Sequence, residues 1–552
     1  LGYVIADTSI TSGGTVATTV ITDALVIVST DQRGRVETSD AIAIDGNRIV
    51  AIGDAARAMA GLPDTNLIDA TGLTILPGVG DGHAHPIFAG LELLGPEIRS
   101  GRTPEDIATN VKQFADANPD LEWIVGGSYD SSIIPGGLFD ATWLDSIDRP
   151  VVLNAWDYHT VWVNSEALRR AGVTSETPEP ELGRIVRRPD GTPMGTLQEY
   201  GAIDLVKAVM PADDSERLAL ALKKASDHFI ELGVTWVQDA WVDPQHVDGY
   251  LAAAAKGFIR NRFNLALRAE PTAWRPQVET FPLDRERIRS ANHRLLTCNT
   301  VKFFADGVVE NHTAAMIDPY TDRVEQDDRG IANWTQEELT AAAIEFDRLG
   351  FQLHIHAIGD MGNRLALNAF EEVERVNGPR DRRGVIAHVQ ILEPSDLGRF
   401  AQLGVIANFE PYWAQMDPLM TELTLPRIGH RSAHQYRIVD VIESGAYVTF
   451  GSDWPVTTPD WRSGLEVGVT RETTEGVPAG GWEPSQRVSP AQGVWAYTAA
   501  MAHQAFADDS GTLKPGSVAD FIELSANPLE IEPHKLPSVR VLATWVDGKR
   551  YG

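Results

Sequence analysis

The sequence predicts an α/β protein: a (β/α)8 TIM barrel, a composite β-sandwich domain contributed by both termini, and a cap subdomain inserted into the barrel. Three observations predict it. Eight apolar β-runs alternate with helix-length segments through the middle of the chain, the pattern of a parallel sheet with crossover helices. Both ends instead show short β-runs broken by Asp-Gly turns. His, Lys and Asp residues fall near the C-terminal ends of five of the eight runs, the first, fourth, fifth, sixth and eighth, and a closed barrel gathers those ends at one mouth where an open sheet would spread them.

Residues 1–75 hold TVATTVITDALVIVST and AIAIDGNRIVAIGD, the second with a hairpin signal at Asp45-Gly46. Residues 503–552 repeat the texture in GTLKPGSVADFIELSANP and at Asp547-Gly548. An isolated hairpin is marginal in water, so the two ends read as halves of one β unit. The barrel occupies residues 76–502, with runs TILPGVGDGHAH, VTWVQDA, NLALRAE, VKFFADG, QLHIHAIGD, GVIAHVQ, GVIANFE and YVTFGSD. Helical segments fit between them: SERLALALKKASDHFIELG before the second, EELTAAAIEFDRLG before the fifth and PSDLGRFAQLG before the seventh. The last two end in Gly, where a C-cap belongs. More than 130 residues separate the first run from the second, far beyond an ordinary βα connection, so about 98–205 read as an inserted cap with β-runs of its own.

Composition narrows the function. The 552 residues exceed what one core supports. With 47 Lys+Arg against 77 Asp+Glu the net charge is −30, which repels phosphate backbones and anionic lipids, so nucleic-acid and membrane partners are not expected. Cys298 is the single cysteine and excludes an internal disulfide. No window approaches the roughly 20 apolar residues of a bilayer span, and the start LGYVIADTSITSGG lacks signal-peptide features. The expectation is a cytoplasmic protein acting on a small molecule, with room for a homodimer.

His83 and His85 in DGHAH point to one side of a strand and suit a divalent metal; two hydrogen-bonded structural histidines read equally well. Lys302 is one of nine lysines and stands in the apolar run VKFFADG. Burial would lower its pKa, and a neutral amine takes up carbon dioxide to give a carbamate able to bridge two cations; the plainer reading is a pair with Asp306. His354, His356, His388 and Asp453 close later runs, and each alone also reads as a core residue. Cys298 shares the phase of Lys302 but adds nothing to a set already complete.

The signatures LPGVGDGHAH, VKFFADGVVE, HIHAIGD, AHVQILEPSDLGRFAQLGV, FGSDWPV and GTLKPGSVADFIEL, spread from about residue 70 to 525, resemble the amidohydrolase superfamily. Within it they resemble amidohydrolase family 3, the branch of YtcJ-like proteins and N-substituted formamide deformylases. The resemblance implies that His83 and His85 with Asp453 hold one divalent metal, zinc by expectation, that His356 and His388 hold a second, and that carboxylated Lys302 bridges them. With one ion, Lys302 would remain an amine. Asp453 and Lys302 are the implied catalytic residues, Asp453 moving a proton from water to the leaving nitrogen. His354 and Asp306 are expected behind the ligands. PVVLNAWDYHTVWVNSEALRRAGV and GTPMGTLQE resemble the branch's cap and make His159 the leading substrate contact, followed by Tyr129, Glu199 and Trp413; Tyr129 stands where the branch often has Trp. Trp162 and Trp454 are candidates to line an apolar pocket.

The function implied is hydrolysis of a carbon-nitrogen bond, in a linear amide such as an N-substituted formamide or N-acyl amine. Deamination of an amino-heterocycle is the alternative within the superfamily. A catalytically silent scaffold is the alternative of another class.

Overall fold

The computed structural model describes residues 18–552; the opening LGYVIADTSITSGG and the first residues of the run TVATTVITDALVIVST lie outside them. The eight barrel strands are β1 (Val79–Ala84), β2 (Val234–Val242), β3 (Arg262–Arg268), β4 (Leu296–Phe304), β5 (Gln352–Ala357), β6 (Val385–His388), β7 (Ile406–Phe409) and β8 (Val448–Phe450). They pair in that order, and every pair is parallel. The seam between β1 and β8 is closed just beyond the strands, where Asp453 N–H donates to His83 O and His85 N–H to Trp454 O, both at 2.7 Å. Gly451 permits this approach, since a Cβ there would lie 2.8 Å from the His83 nitrogen.

Alternation stacks the interior in layers. Thr300 and Gln352 point inward below Lys302 and His354, and a buried amide and hydroxyl network fills that level. Asn264 donates to Gln238 and Thr300 at 2.8 and 2.7 Å, Thr300 to Gln352 at 2.8 Å, and Thr449 to Gln504 at 2.6 Å. One residue pair further along, Lys302 sits beside His354, then Phe304 beside His356. The network therefore forms a floor and the titratable residues the layer above it. Outside the strands, Phe229, Phe263, Phe346 and Phe370 belong to the large core between sheet and helices.

Strands from both termini form one hydrogen-bonded sheet of eight, with Thr74–Pro77 joining Thr19–Thr30 to Phe521–Leu524. This is the composite β unit expected from both termini, and its longest strand, Thr19–Thr30, runs twelve residues with two register shifts. Asn66–Asp69 pairs with its first half and Thr74–Pro77 with its second. Separate apolar clusters cover its faces, one holding Ile21, Phe521 and Trp545, the other Val20, Ala43 and Ala56.

The insertion between β1 and β2 builds a five-stranded sheet of its own, running from Ile124–Tyr129 to Arg184–Arg187. No helix among the described residues is long and apolar enough to cross a membrane.

Candidate metal centre

Side chains from β1, β4, β5, β6 and the turn after β8 meet above the floor. His85 precedes the helix Pro86–Glu92, whose Pro at the first position fixes the turn out of β1. His388 and Asp453 both adopt left-handed backbone, with φ of 76° and 55°. Such conformations cost of order 1–3 kcal/mol for residues with a side chain and concentrate at functional sites.

Asp453 Oδ1 lies 2.8 Å from His85 Nε2 and 3.5 Å from His83 Nε2, and the three groups could ligate one ion. That oxygen is buried and makes no hydrogen bond of good geometry, as does His85 Nδ1. A shared cation satisfies the orphaned carboxylate oxygen, and two imidazoles with a carboxylate are a donor set for a hard-to-borderline divalent metal. The residues therefore fit a metal. Lys302 Nζ is 3.1 Å from His83 Nε2, and the side chain is fully buried. It makes no ion pair among the described residues. Asp306, the partner suggested by sequence, instead accepts N–H bonds from Ala315, Ile358 and Gly359.

Burial lowers the basicity of four of the imidazoles and of Lys302. It holds His83, His354 and His356 well below the usual histidine value and His85 below it despite Asp453. It brings Lys302 down to about 7, against the attraction of Asp453, Glu410 and Asp239. Burial pushes the Asp453 carboxyl up, but His85, His388 and Lys302 together bring it below its ordinary value. Neutral imidazoles, an ionised carboxylate and an amine that is partly free base are the protonation states that metal ligation and carbamate formation need.

His354 Nε2 lies 2.8 Å from His83 Nδ1, on the side of that ring away from Asp453 and Lys302, which approach Nε2. The rings of His356 and His388 are 4.6 Å apart, and His388 is also 4.6 Å from His83. His388 Nδ1 is held by Glu410 Oε2 at 2.8 Å, which leaves Nε2 as its free nitrogen. Sequence reasoning passed over Glu410, although it directly follows β7, where the other functional residues also stand. Asp239, in β2, is a second omission; it accepts from Tyr250 at 2.8 Å and from the Trp241 N–H.

The cap and the loops close a cavity of about 720 Å³ over this layer, lined by His159, His356, Trp413 and Asp453 among others. His159 is clamped by Glu199, Nδ1 to Oε2 at 2.7 Å, with the Tyr200 hydroxyl 3.2 Å from Nε2. Burial opposes its protonation, yet Glu199 and Asp157 raise its pKa above the ordinary value. Trp413 stacks on His388 with ring centres 5.2 Å apart. Three expected pocket residues are elsewhere. Tyr129 and Trp162 pack on Phe139 in the cap core, with ring centres 4.5 and 4.9 Å from it. Trp454 turns its ring onto Phe229, 5.0 Å away, and only its carbonyl serves the site.

Glu410 carries a prediction. Glu410→Leu leaves His388 Nδ1–H unpaired, and loss of such a partner costs 10- to 100-fold in metal affinity. Chelator competition should show that loss, with Glu410→Gln much closer to wild type because its amide oxygen still accepts. Equal affinities for all three proteins would remove Glu410 from this role.

Fold and site together define a metal-dependent hydrolase of the barrel type. The chain belongs to the amidohydrolase family, whose profile matches residues 66–551. It is 31% identical over 532 residues to Protein LONG AFTER FAR-RED 3 of Arabidopsis thaliana, covering 93% of this chain and 88% of that one. It is 25% identical over 552 residues to an N-substituted formamide deformylase of Arthrobacter pascens, covering 95% and 97%. Among solved structures, an uncharacterised metal-dependent hydrolase of Pyrococcus horikoshii shares the fold with a TM-score of 0.74 at 21% identity, covering 94% of this chain and 99% of that one.

Proposed function

We propose that the protein hydrolyses the carbon-nitrogen bond of a linear amide, an N-substituted formamide or N-acyl amine. The observation that carries this reading is the convergence of His83, His85 and Asp453 beside the buried, unpaired Lys302. His83, His85 and Asp453 would hold one ion. His356, His388 and a carbamate on Lys302 would hold a second, the amine adding carbon dioxide and releasing one proton. A divalent cation, zinc by expectation, polarises a carbonyl and acidifies water.

The chain's own residues supply the rest. The Asp453 carboxylate would take the water proton and return it to the leaving nitrogen. His159, its basicity raised by Glu199 and Asp157 against burial, would donate to the carbonyl oxygen as charge develops there. The cap over the cavity excludes bulk water and strengthens both interactions.

The test is turnover by zinc-loaded protein on a panel of N-substituted formamides and N-acyl amines, following carboxylate and amine together. At least one member should reach a kcat/KM of about 10⁴ M⁻¹s⁻¹. Ammonia from amino-heterocycles, with no amide turned over, would identify a deaminase. No turnover by protein shown to hold metal would leave the scaffold reading.

A further inference from the structure

The cavity above the metal centre has an acidic wall that outnumbers the cationic groups near it, His159 beside Asp157 and Arg427 near Glu310. Asp130, Asp157, Glu310 and Asp417 line it, and among the described residues none of the four forms an ion pair. Asp130 accepts from Ser132, Asp157 from the His159 N–H and Asn311, Glu310 from Thr424 and Asp417 from the Met420 N–H. Among the described residues neither Glu310 Oε2 nor Asp417 Oδ2 accepts a hydrogen bond of good geometry. Of the two arginines lining the cavity, Arg99 is engaged by Glu92 and by the Val456 carbonyl, and Arg102 is exposed at the rim. Arg427 stands near Glu310 without pairing with it. Burial, with mutual repulsion among these acids, pushes both Asp157 and Asp417 up to about 6, so the wall holds charge at neutral pH at a cost.

A second feature points to a ligand. Tyr436 is 2% exposed, lines the same cavity, and its hydroxyl has no hydrogen-bond partner among the described residues. The side chain of a residue so buried normally has its hydroxyl satisfied, and Tyr436 shares the cavity lining with Glu310 and Asp417. Trp156, Tyr412 and Trp413 add aromatic surface to the cavity. Carboxylates, a phenol oxygen and aromatic faces together are the surroundings that recognise an ammonium or guanidinium group.

We infer that the cavity selects substrates bearing a positively charged nitrogen, held by Asp157, Glu310, Asp417 and the Tyr436 hydroxyl, in addition to the bond that is cleaved. The identity of that bond rests on the amide reading above; the charge preference does not. It follows from an acidic wall that His159 and Arg427 compensate only in part, which an anionic or neutral ligand would leave desolvated and unpaired.

The experiment uses three acetamides of equal length on zinc-loaded protein at pH 7.5. They are N-acetyl-1,5-diaminopentane, with an ammonium terminus, N-hexylacetamide, its neutral isostere, and 6-acetamidohexanoate. Calorimetry gives Kd for any that is not turned over, and steady-state kinetics gives kcat and KM for any that is. The ammonium compound should be favoured about tenfold over the neutral one and about a hundredfold over the anion. In Glu310→Gln/Asp417→Asn the preference should shrink below threefold, through KM or Kd. Tyr436→Phe, a smaller change that keeps the ring, should cost the ammonium compound about threefold and the neutral one nothing. Equal affinity for all three, preference for the anion, no binding by any, or a preference that survives in the double variant overturns the inference. Binding with the expected preference but without hydrolysis overturns the amide reading and leaves this one standing.

Discussion

Lys302→Ala is expected to lose most of its bound metal and to lower hydrolysis by three orders of magnitude or more, about 4 kcal/mol of transition-state stabilisation. The side chain is fully buried beside His83 without an ionic partner, so it contributes little to stability as an ammonium. Lys302→Met keeps the volume and removes a buried amine, and should hold or raise Tm while losing metal to the same degree. Short carboxylic acids or bicarbonate should restore part of the metal and activity in the alanine variant, where a cavity admits them, and none in the methionine variant. Metal analysis decides the matter: unchanged metal in Lys302→Ala would take this residue out of the site.

The residues that converge were legible because they obey two local rules at once. Each is a metal-competent or titratable side chain inside an otherwise apolar run, and each stands at the C-terminal end of that run. Period-two alternation then fixes the inward direction, as for Thr300, Lys302 and Phe304 in β4. Glu410 obeys the same rules and was still missed. Its role lies in reaching His388, which is set by the twist between β6 and β7 and by no spacing in the chain.

The aromatic residues failed for a different reason. Tyr129 and Trp162 lie on strands of the cap, where both faces are covered, so strand phase alone does not separate core from cavity. Trp454 follows a ligand directly, but the left-handed turn at Asp453 swings its ring away toward Phe229. Tyr436 had no local signal. It belongs to a connection after short helical turns, with left-handed backbone, and it meets the acidic wall only through the fold. The terminal unit shows the same limit: its strands were visible as alternating runs, while their joining into one sheet depends on shifts of register within Thr19–Thr30.

Asp306 separates the structural reading of this region from the reading the sequence left open. An ion pair with Lys302 would make the two residues strongly coupled. The structure instead gives Asp306 Oδ1 to the Ile358 N–H at 3.0 Å and Oδ2 to the N–H groups of Ala315 and Gly359, both at 2.8 Å. It thereby pins the segment after β5 that follows His356, and Gly362 is needed there, because a Cβ would lie 2.5 Å from the carboxylate. Asp306→Ala strands three buried donors, each costing about 1–3 kcal/mol, so a loss of about 4 kcal/mol is expected, with Tm lower by roughly 5–10 °C. Asp306→Asn, which keeps one acceptor and turns an amide N–H toward the remaining donors, should fall between. Combined with Lys302→Met, the alanine change should couple by less than about 1 kcal/mol, since the two side chains make no ion pair and share only His356, 3.7 Å from Asp306 Oδ1. A coupling of 2 kcal/mol or more would restore the ion pair and with it an ammonium, not a carbamate, at Lys302.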